Sequence, residues 1–214
     1  RTVEALTFNG TSPGPELRVR QGDLVEVELT NADVEQGVTV HWHGVDVPNG
    51  EDGVAGVTQN AVLPGERHVY RFRAEQVGTF WYHTHQVSSK EVRRGLFGAL
   101  VIEPAAERGA EVDLALVAHT FDGRPPLTAR ARPEPRAVAP GARVRLRLVN
   151  SDNTPRRFSV EGTPFRVVAL DGTDLVGPTA IEDTTVEIAG GGRADVAFTM
   201  PRAPVWVTLT DTDV

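Results

Sequence analysis

Leu24-Val25-Glu26-Val27-Glu28-Leu29 alternates residue by residue: Val25, Val27 and Leu29 fall on one face of an extended chain and the charges on the other. Val144, Leu146 and Leu148 do the same against Arg143, Arg145 and Arg147. A period of two with one apolar face predicts strands packed on one side, paired antiparallel. Similar runs fall at 2–8, 37–42, 67–73, 78–84, 96–103, 112–119, 157–161, 165–170, 184–188, 193–199 and 205–210. No segment carries a long 3.6 period, and only 86–94 has room for one or two helical turns. Gly (21) and Pro (15) together exceed the usual roughly 12%, so turns are frequent. The expectation is an all-β chain, folded as a sandwich or barrel.

The chain also resembles itself. Gly22, Val25, Val27, Leu29, Asn31 and Asp33 recur as Gly141, Val144, Leu146, Leu148, Asn150 and Asp152. Arg67, Tyr70 and Phe72 match Arg193, Val196 and Phe198, and Trp81 matches Trp206. Two tandem copies of one sandwich follow, 1–104 and 105–214, divided near the stretch 104–111.

Composition narrows the chemistry. The 214 residues hold no Cys, which removes disulfides, thiolate nucleophiles and thiolate metal ligands. A net charge of −7 disfavours non-specific nucleic-acid binding. The Arg cluster 130, 132, 136, 143, 145 and 147 therefore reads as a solvated face. No apolar run approaches the roughly 18 residues of a membrane helix. No signal peptide is recognisable, which would suit a cytosolic or an already processed chain. Gly190-Gly191-Gly192 precedes a strand and reads as a turn, not a phosphate loop. Ser88 and Ser89 follow a His pair without a nucleophile elbow.

Four of the six His form two pairs, His41-Trp42-His43 and His83-Thr84-His85. Residues i and i+2 of a strand share a face, so each pair aims two imidazoles one way. If the two strands are neighbours, four imidazoles converge. Ring nitrogens buried without partners cost about 1–3 kcal/mol each. A borderline metal resolves that cost, and imidazole suits Cu and Zn. The second copy has Trp206-Val207-Thr208-Leu209-Thr210 where the first has Trp81 to His85, and approximately Ser159-Val160-Glu161-Gly162 where the first has Val40 to His43. The fold therefore does not require the His pairs. His68 reads as a surface or edge residue and His119 as structural.

These motifs resemble a multicopper oxidase of the laccase type. The matching residues are His41-Trp42-His43-Gly44, Asp52-Gly53-Val54-Ala55-Gly56-Val57-Thr58-Gln59, Pro64-Gly65-Glu66, Gly78-Thr79-Phe80-Trp81-Tyr82-His83-Thr84-His85, and Gly95 to Ile102. Val149-Asn150, Pro164-Phe165 and Asp171-Gly172-Thr173 resemble the middle domain of a three-domain member. The resemblance implies two cupredoxin-like Greek-key sandwiches, with metal ligands in the first only. It implies copper, with His41 on type 2 copper and His43, His83 and His85 on the type 3 pair. Asp52 matches an acidic residue associated with proton delivery; a plain turn residue before Gly53 is the other reading. Trp42, Trp81 and Tyr82 read as packing around the cluster.

The family draws four more cluster His and the type 1 copper Cys from a third domain, which these residues lack. The chain then reads as the first two domains of a longer oxidase, a cleavage product or a natural truncation. The whole enzyme would pass electrons from a small reducing substrate to dioxygen, in an extracytoplasmic compartment. The 214 residues alone would be inactive. Two other readings stay open: a cupredoxin-like module binding copper or zinc without redox turnover, and a metal-free structural tandem.

Overall fold

The structure is a computed structural model that describes residues 5–106, 110, 112–121 and 135–211. The chain divides into two compact units, 1–106 and 107–214. Unit 1 contains β1 (Leu17–Arg20), β2 (Leu24–Thr30), β3 (His41–His43), β4 (Arg67–Arg73), β5 (Gly78–His83) and β6 (Phe97–Glu103), with a 3-10 turn at Asn49–Glu51 and a short helix α1 (Ser88–Arg93). One sheet runs β1-β6-β5-β3 and the other is the β2-β4 pair. Their inner faces enclose Val25, Leu29, Val40, Trp42, Tyr70, Phe72, Phe80, Tyr82 and Leu100. Trp42 is central, with ring centroids 4.8 Å from Phe72 and 5.7 Å from Tyr70. Gly98 sits opposite Tyr82 in the β5–β6 ladder, and a Cβ there would lie 2.4 Å from the Tyr82 ring, so only Gly leaves room for it.

Unit 2 contains β7 (Val112–Ala118), β8 (Arg143–Asn150), β9 (Arg156–Glu161), β10 (Arg166–Leu170), β11 (Thr173–Asp174), β12 (Thr185–Ile188), β13 (Arg193–Thr199) and β14 (Trp206–Asp211). Its sheets run β11-β10-β13-β8-β7 and β12-β9-β14, around Val144, Leu146, Leu148, Phe158, Val160, Phe165, Val196 and Phe198. The repeat is physical. Val25 faces Phe72 and Val27 faces Tyr70 in unit 1; Val144 faces Phe198 and Leu146 faces Val196 in unit 2. Asn31 and Asn150 close the matching strands, both buried. Asn31 donates to the carbonyls of Val34 and Val62, and Asn150 to those of Thr154, Ile188 and Ala189.

Several expectations need correction. Pairing is not wholly antiparallel: β1 with β6 and β7 with β8 run parallel. Alternation reveals which face is buried, not the direction of the neighbour. Strands β1 and β11 carry too few residues for the pattern to show. Candidate strand 2–8 is irregular over 5–7 and contributes one bridge at Phe8; residues 2–4 lie outside the described residues. The eye alignment of the second copy slips by one residue. Trp206 pairs with Glu161 and Thr208 with Ser159, as Trp81 pairs with His43 and His83 with His41. Ser159 and Glu161 thus occupy the places of His41 and His43, and buried Val160 that of Trp42.

The Arg cluster is not uniformly solvated. Arg143 is exposed, but Arg147 is buried and bonds Asp113 (2.6 and 2.7 Å) and Asp195 (3.3 Å). Arg145 also bonds buried Asp195, at 2.8 Å through Nε. Arg130 and Arg132 lie outside the described residues. Removing one partner of a buried ion network leaves an uncompensated charge, at a cost of about 3–5 kcal/mol. Arg147→Met is expected to destabilise by that amount in urea unfolding, whereas Arg143→Met should stay within about 0.5 kcal/mol of the parent.

Candidate metal centre

The two His pairs meet because β3 lies beside β5 in antiparallel register, with His41 opposite His83, Trp42 opposite Tyr82 and His43 opposite Trp81. Alternation sends Trp42 and Tyr82 into the core and His41, His43, Trp81 and His83 to the other face. Donor nitrogens of His41, His43 and His83 all lie within 4.8 Å of one another. His43 Nδ1 stands 3.3 Å from His83 Nε2. His85, beyond the end of β5, flanks this trio: its ring centroid is 5.1 Å from that of His41 and 5.9 Å from that of His83. Trp81 stacks on both His43 (4.7 Å) and His83 (4.3 Å).

The outer nitrogens are anchored. His41 Nδ1 donates to the Asp52 carbonyl at 2.8 Å, with Asp52 Oδ1 at 3.2 Å. His83 Nδ1 donates to the Thr84 carbonyl at 2.7 Å. A carbonyl only accepts, so Nδ1 carries the proton in both rings and Nε2 keeps its lone pair. That is how ligating imidazoles are usually held. Trp42 Nε1 donates to the Glu51 carbonyl at 3.0 Å, so consecutive carbonyls of one loop grip His41 and its neighbour. The loop reaches β3 through Gly53, whose φ is +70°. A Cβ there would lie 1.9 Å from the Val40 carbonyl oxygen.

Burial, with the neighbouring imidazoles adding to it, lowers the His83 pKa to about 3. The ring is therefore neutral, with its lone pair available, throughout the range where proteins are usually handled. The donor set fits a borderline metal: clustered imidazoles, two of them oriented by carbonyls, with no thiolate or hard oxygen cage.

The remaining His make other contacts. His68 is half-buried on β4, its ring 4.6 Å from Tyr70. His119 is buried in unit 2, with Nδ1 3.0 Å from Ser151 Oγ and its ring edge-on to Phe121. Two partners, Thr39 and Tyr70, lie off the His pairs and carry no signal in the sequence, whereas Gly53 lies within the Asp52–Gln59 motif. Only the Asp-Gly dipeptide carried a local signal.

Models of the multicopper oxidase family match residues 1–107 and 81–208. The chain belongs to the multicopper oxidase family. It is 32% identical to Laccase-1 of Botryotinia fuckeliana over 223 aligned positions, covering 91% of this chain and 39% of that protein. Among solved structures it resembles Lac15 from a marine microbial metagenome (TM-score 0.83, 37% identity, 98% of this chain and 58% of the other). It also resembles a blue copper oxidase from Nitrosomonas europaea (TM-score 0.84, 29% identity, 96% and 72%). The chain thus spans about two fifths of that curated laccase. Its units are cupredoxin-like β-sandwiches, it is laccase-like, and copper is the cofactor of its family.

Two outcomes follow for the metal-free protein. Between about pH 6.5 and 3 the unfolded chain binds a proton at His83 that the folded chain does not, so stability rises with pH across that window. Acid titration of the metal-free chain should show a loss of stability below about pH 6.5 that weakens in His83→Phe. Gly53→Ala combines a left-handed backbone with a steric clash and should cost at least about 1–3 kcal/mol in thermal or urea unfolding.

Proposed function

We propose that this chain is part of a multicopper oxidase that couples oxidation of a small reducing substrate to reduction of dioxygen to water. In this reading it supplies half of the imidazoles of a trinuclear copper cluster. The observation that supports this best is the cross-strand cluster of His41, His43 and His83 with His85 at its flank. When bound, copper supplies a redox-active Lewis acid that binds dioxygen and stabilises the charge developing on it.

The roles divide by position. His41 is the type 2 ligand; His43, His83 and His85 are type 3 ligands. His43 Nδ1 and His83 Nε2, 3.3 Å apart, are close enough to share one ion. His41 and His83 present Nε2 while their Nδ1 protons stay on carbonyls, so the rings hold their tautomer and direction. To offer Nδ1 to an ion, His43 would carry its proton on Nε2 instead of sharing it with His83. Asp52 is partly exposed and its carboxylate lies beside His41 Nδ1. In this reading Asp52 would carry protons between solvent and the cluster edge. Trp81 shields one side of His43 and His83 from water.

A third cupredoxin domain is the source of the remaining cluster ligands and of the type 1 Cys, because the 214 residues contain none. An extracytoplasmic location accompanies this reading. Among the described residues no helix is long and apolar enough to cross a membrane.

The test pairs the 214-residue chain with the polypeptide extended by a third domain. The chain alone is expected to take up copper and to leave phenols and metal ions unoxidised. The extended protein should consume dioxygen with a phenol or a reducing metal ion. His83→Ala should abolish both copper retention and turnover, while His68→Ala keeps them. An extended protein that binds zinc as readily as copper and consumes no dioxygen would instead mark a sequestering module.

A further inference from the structure

The β3–β5 ladder stops at His41 and His83. Continued by two residues it would set Thr39 against His85. The amides there turn instead to side-chain oxygens. The His85 N–H donates to Thr39 Oγ1 at 3.1 Å. The N–H groups of Thr39 and Gln86 both donate to Thr84 Oγ1, at 3.4 and 3.3 Å. The Val40 N–H donates to Tyr70 Oη at 2.9 Å. The accepting residues Thr39, Tyr70 and Thr84 are all fully buried, whereas His85 and Gln86, which donate to Thr39 and Thr84, are half-buried. Just past the ladder the two His segments are thus joined through the hydroxyls of Thr39 and Thr84 rather than by main-chain pairing.

A regular ladder would carry His85 straight on from His83, on the same face and one strand repeat further along. With a hydroxyl inserted between the chains, the backbone leaves the sheet at Thr84 and turns toward α1. The His85 ring then sits beside both His41 and His83, at 27° to the latter. Thr84 bonds on both sides of its position: its carbonyl fixes the His83 tautomer, and its hydroxyl accepts from the Gln86 amide, just past His85. Valine has the same shape and the same preference for strands, so packing alone does not call for hydroxyls at either position.

We propose that Thr39 and Thr84 are positioning residues for the metal centre: their hydroxyls clasp the two His motifs to each other and set the step that separates His85 from His83. This rests on the reading of His85 as a metal ligand. Neither residue touches substrate, and each acts through the backbone of the His motifs.

The experiment uses the 214-residue chain with cupric ion as the probe. In the parent, hydrogen exchange at the amides of Thr39, His85 and Gln86 should be as slow as in the β3–β5 ladder. Thr39→Val and Thr84→Val are expected to shift the ¹⁵N imidazole resonances of His85 while leaving those of His68 in place. They should also weaken cupric binding about 10–100-fold, the range usual for partners that orient ligands. Thr39→Ser and Thr84→Ser, which keep the oxygen, should restore both. Folded Val variants with parental resonances and affinity overturn the proposal. Should the Val variants fail to fold, loop-like exchange at the parent's His85 and Gln86 amides overturns it, and ladder-like exchange upholds the clasp. A parent that binds no cupric ion at these His overturns the proposed function first, and the claim about His85 with it. A parent that binds cupric ion beside unaffected Val variants overturns only the clasp.

Discussion

The imidazole cluster depends on one antiparallel register, His41 against His83, and that register is held from the opposite face of the sheet. Trp42 and Tyr82, the residues between and beside these imidazoles, are buried against Phe72, Tyr70 and Phe8. A slip of one residue would expose Trp42 and drive imidazoles into the core. Large aromatic side chains dominate core energetics, so the apolar side of β3 fixes where the polar side points. The cluster of imidazoles is in this sense a product of the core beneath it.

The second unit shows the same scaffold without that chemistry. Its strands β8 and β13 repeat the register of β2 and β4, and β9 and β14 repeat that of β3 and β5. At the positions of His41 and His83 stand Ser159 and Thr208, whose hydroxyls hydrogen-bond directly to each other. A pair of short hydroxyls satisfies itself across a ladder, whereas a group of imidazoles leaves lone pairs aimed at a common point. The contrast separates what the fold needs from what the site needs.

The site also lies where regular pairing ends. The loop carrying Glu51, Asp52 and Gly53 presses its carbonyls against β3, and the chain after His83 departs from β5 within two residues. Backbone groups that lose ladder partners there are taken up by side chains or by imidazole. Such irregular segments, fixed by a rigid sheet, are where ligands can be set at angles a strand alone would not allow.

Alternation at 24–29 and 143–148 and the two His pairs were enough to read an all-β tandem, a candidate imidazole donor set for a borderline metal, and a family resemblance from the amino-acid order. These features are local: a period of two and a spacing of i, i+2 act within a few residues. The parallel pairs β1–β6 and β7–β8, the burial of Arg147 between Asp113 and Asp195, and the one-residue offset of Ser159 and Glu161 were not legible, because each depends on which strand lies alongside. The same holds for the closeness of Gly53 to Val40 and for the hydroxyls of Thr39 and Thr84 beside His85. The order of residues determined which side chains carry the chemistry and which face of each strand they occupy. Only the tertiary structure decided their neighbours, since contacts between segments some forty residues apart are set by packing of the whole core and by no local pattern.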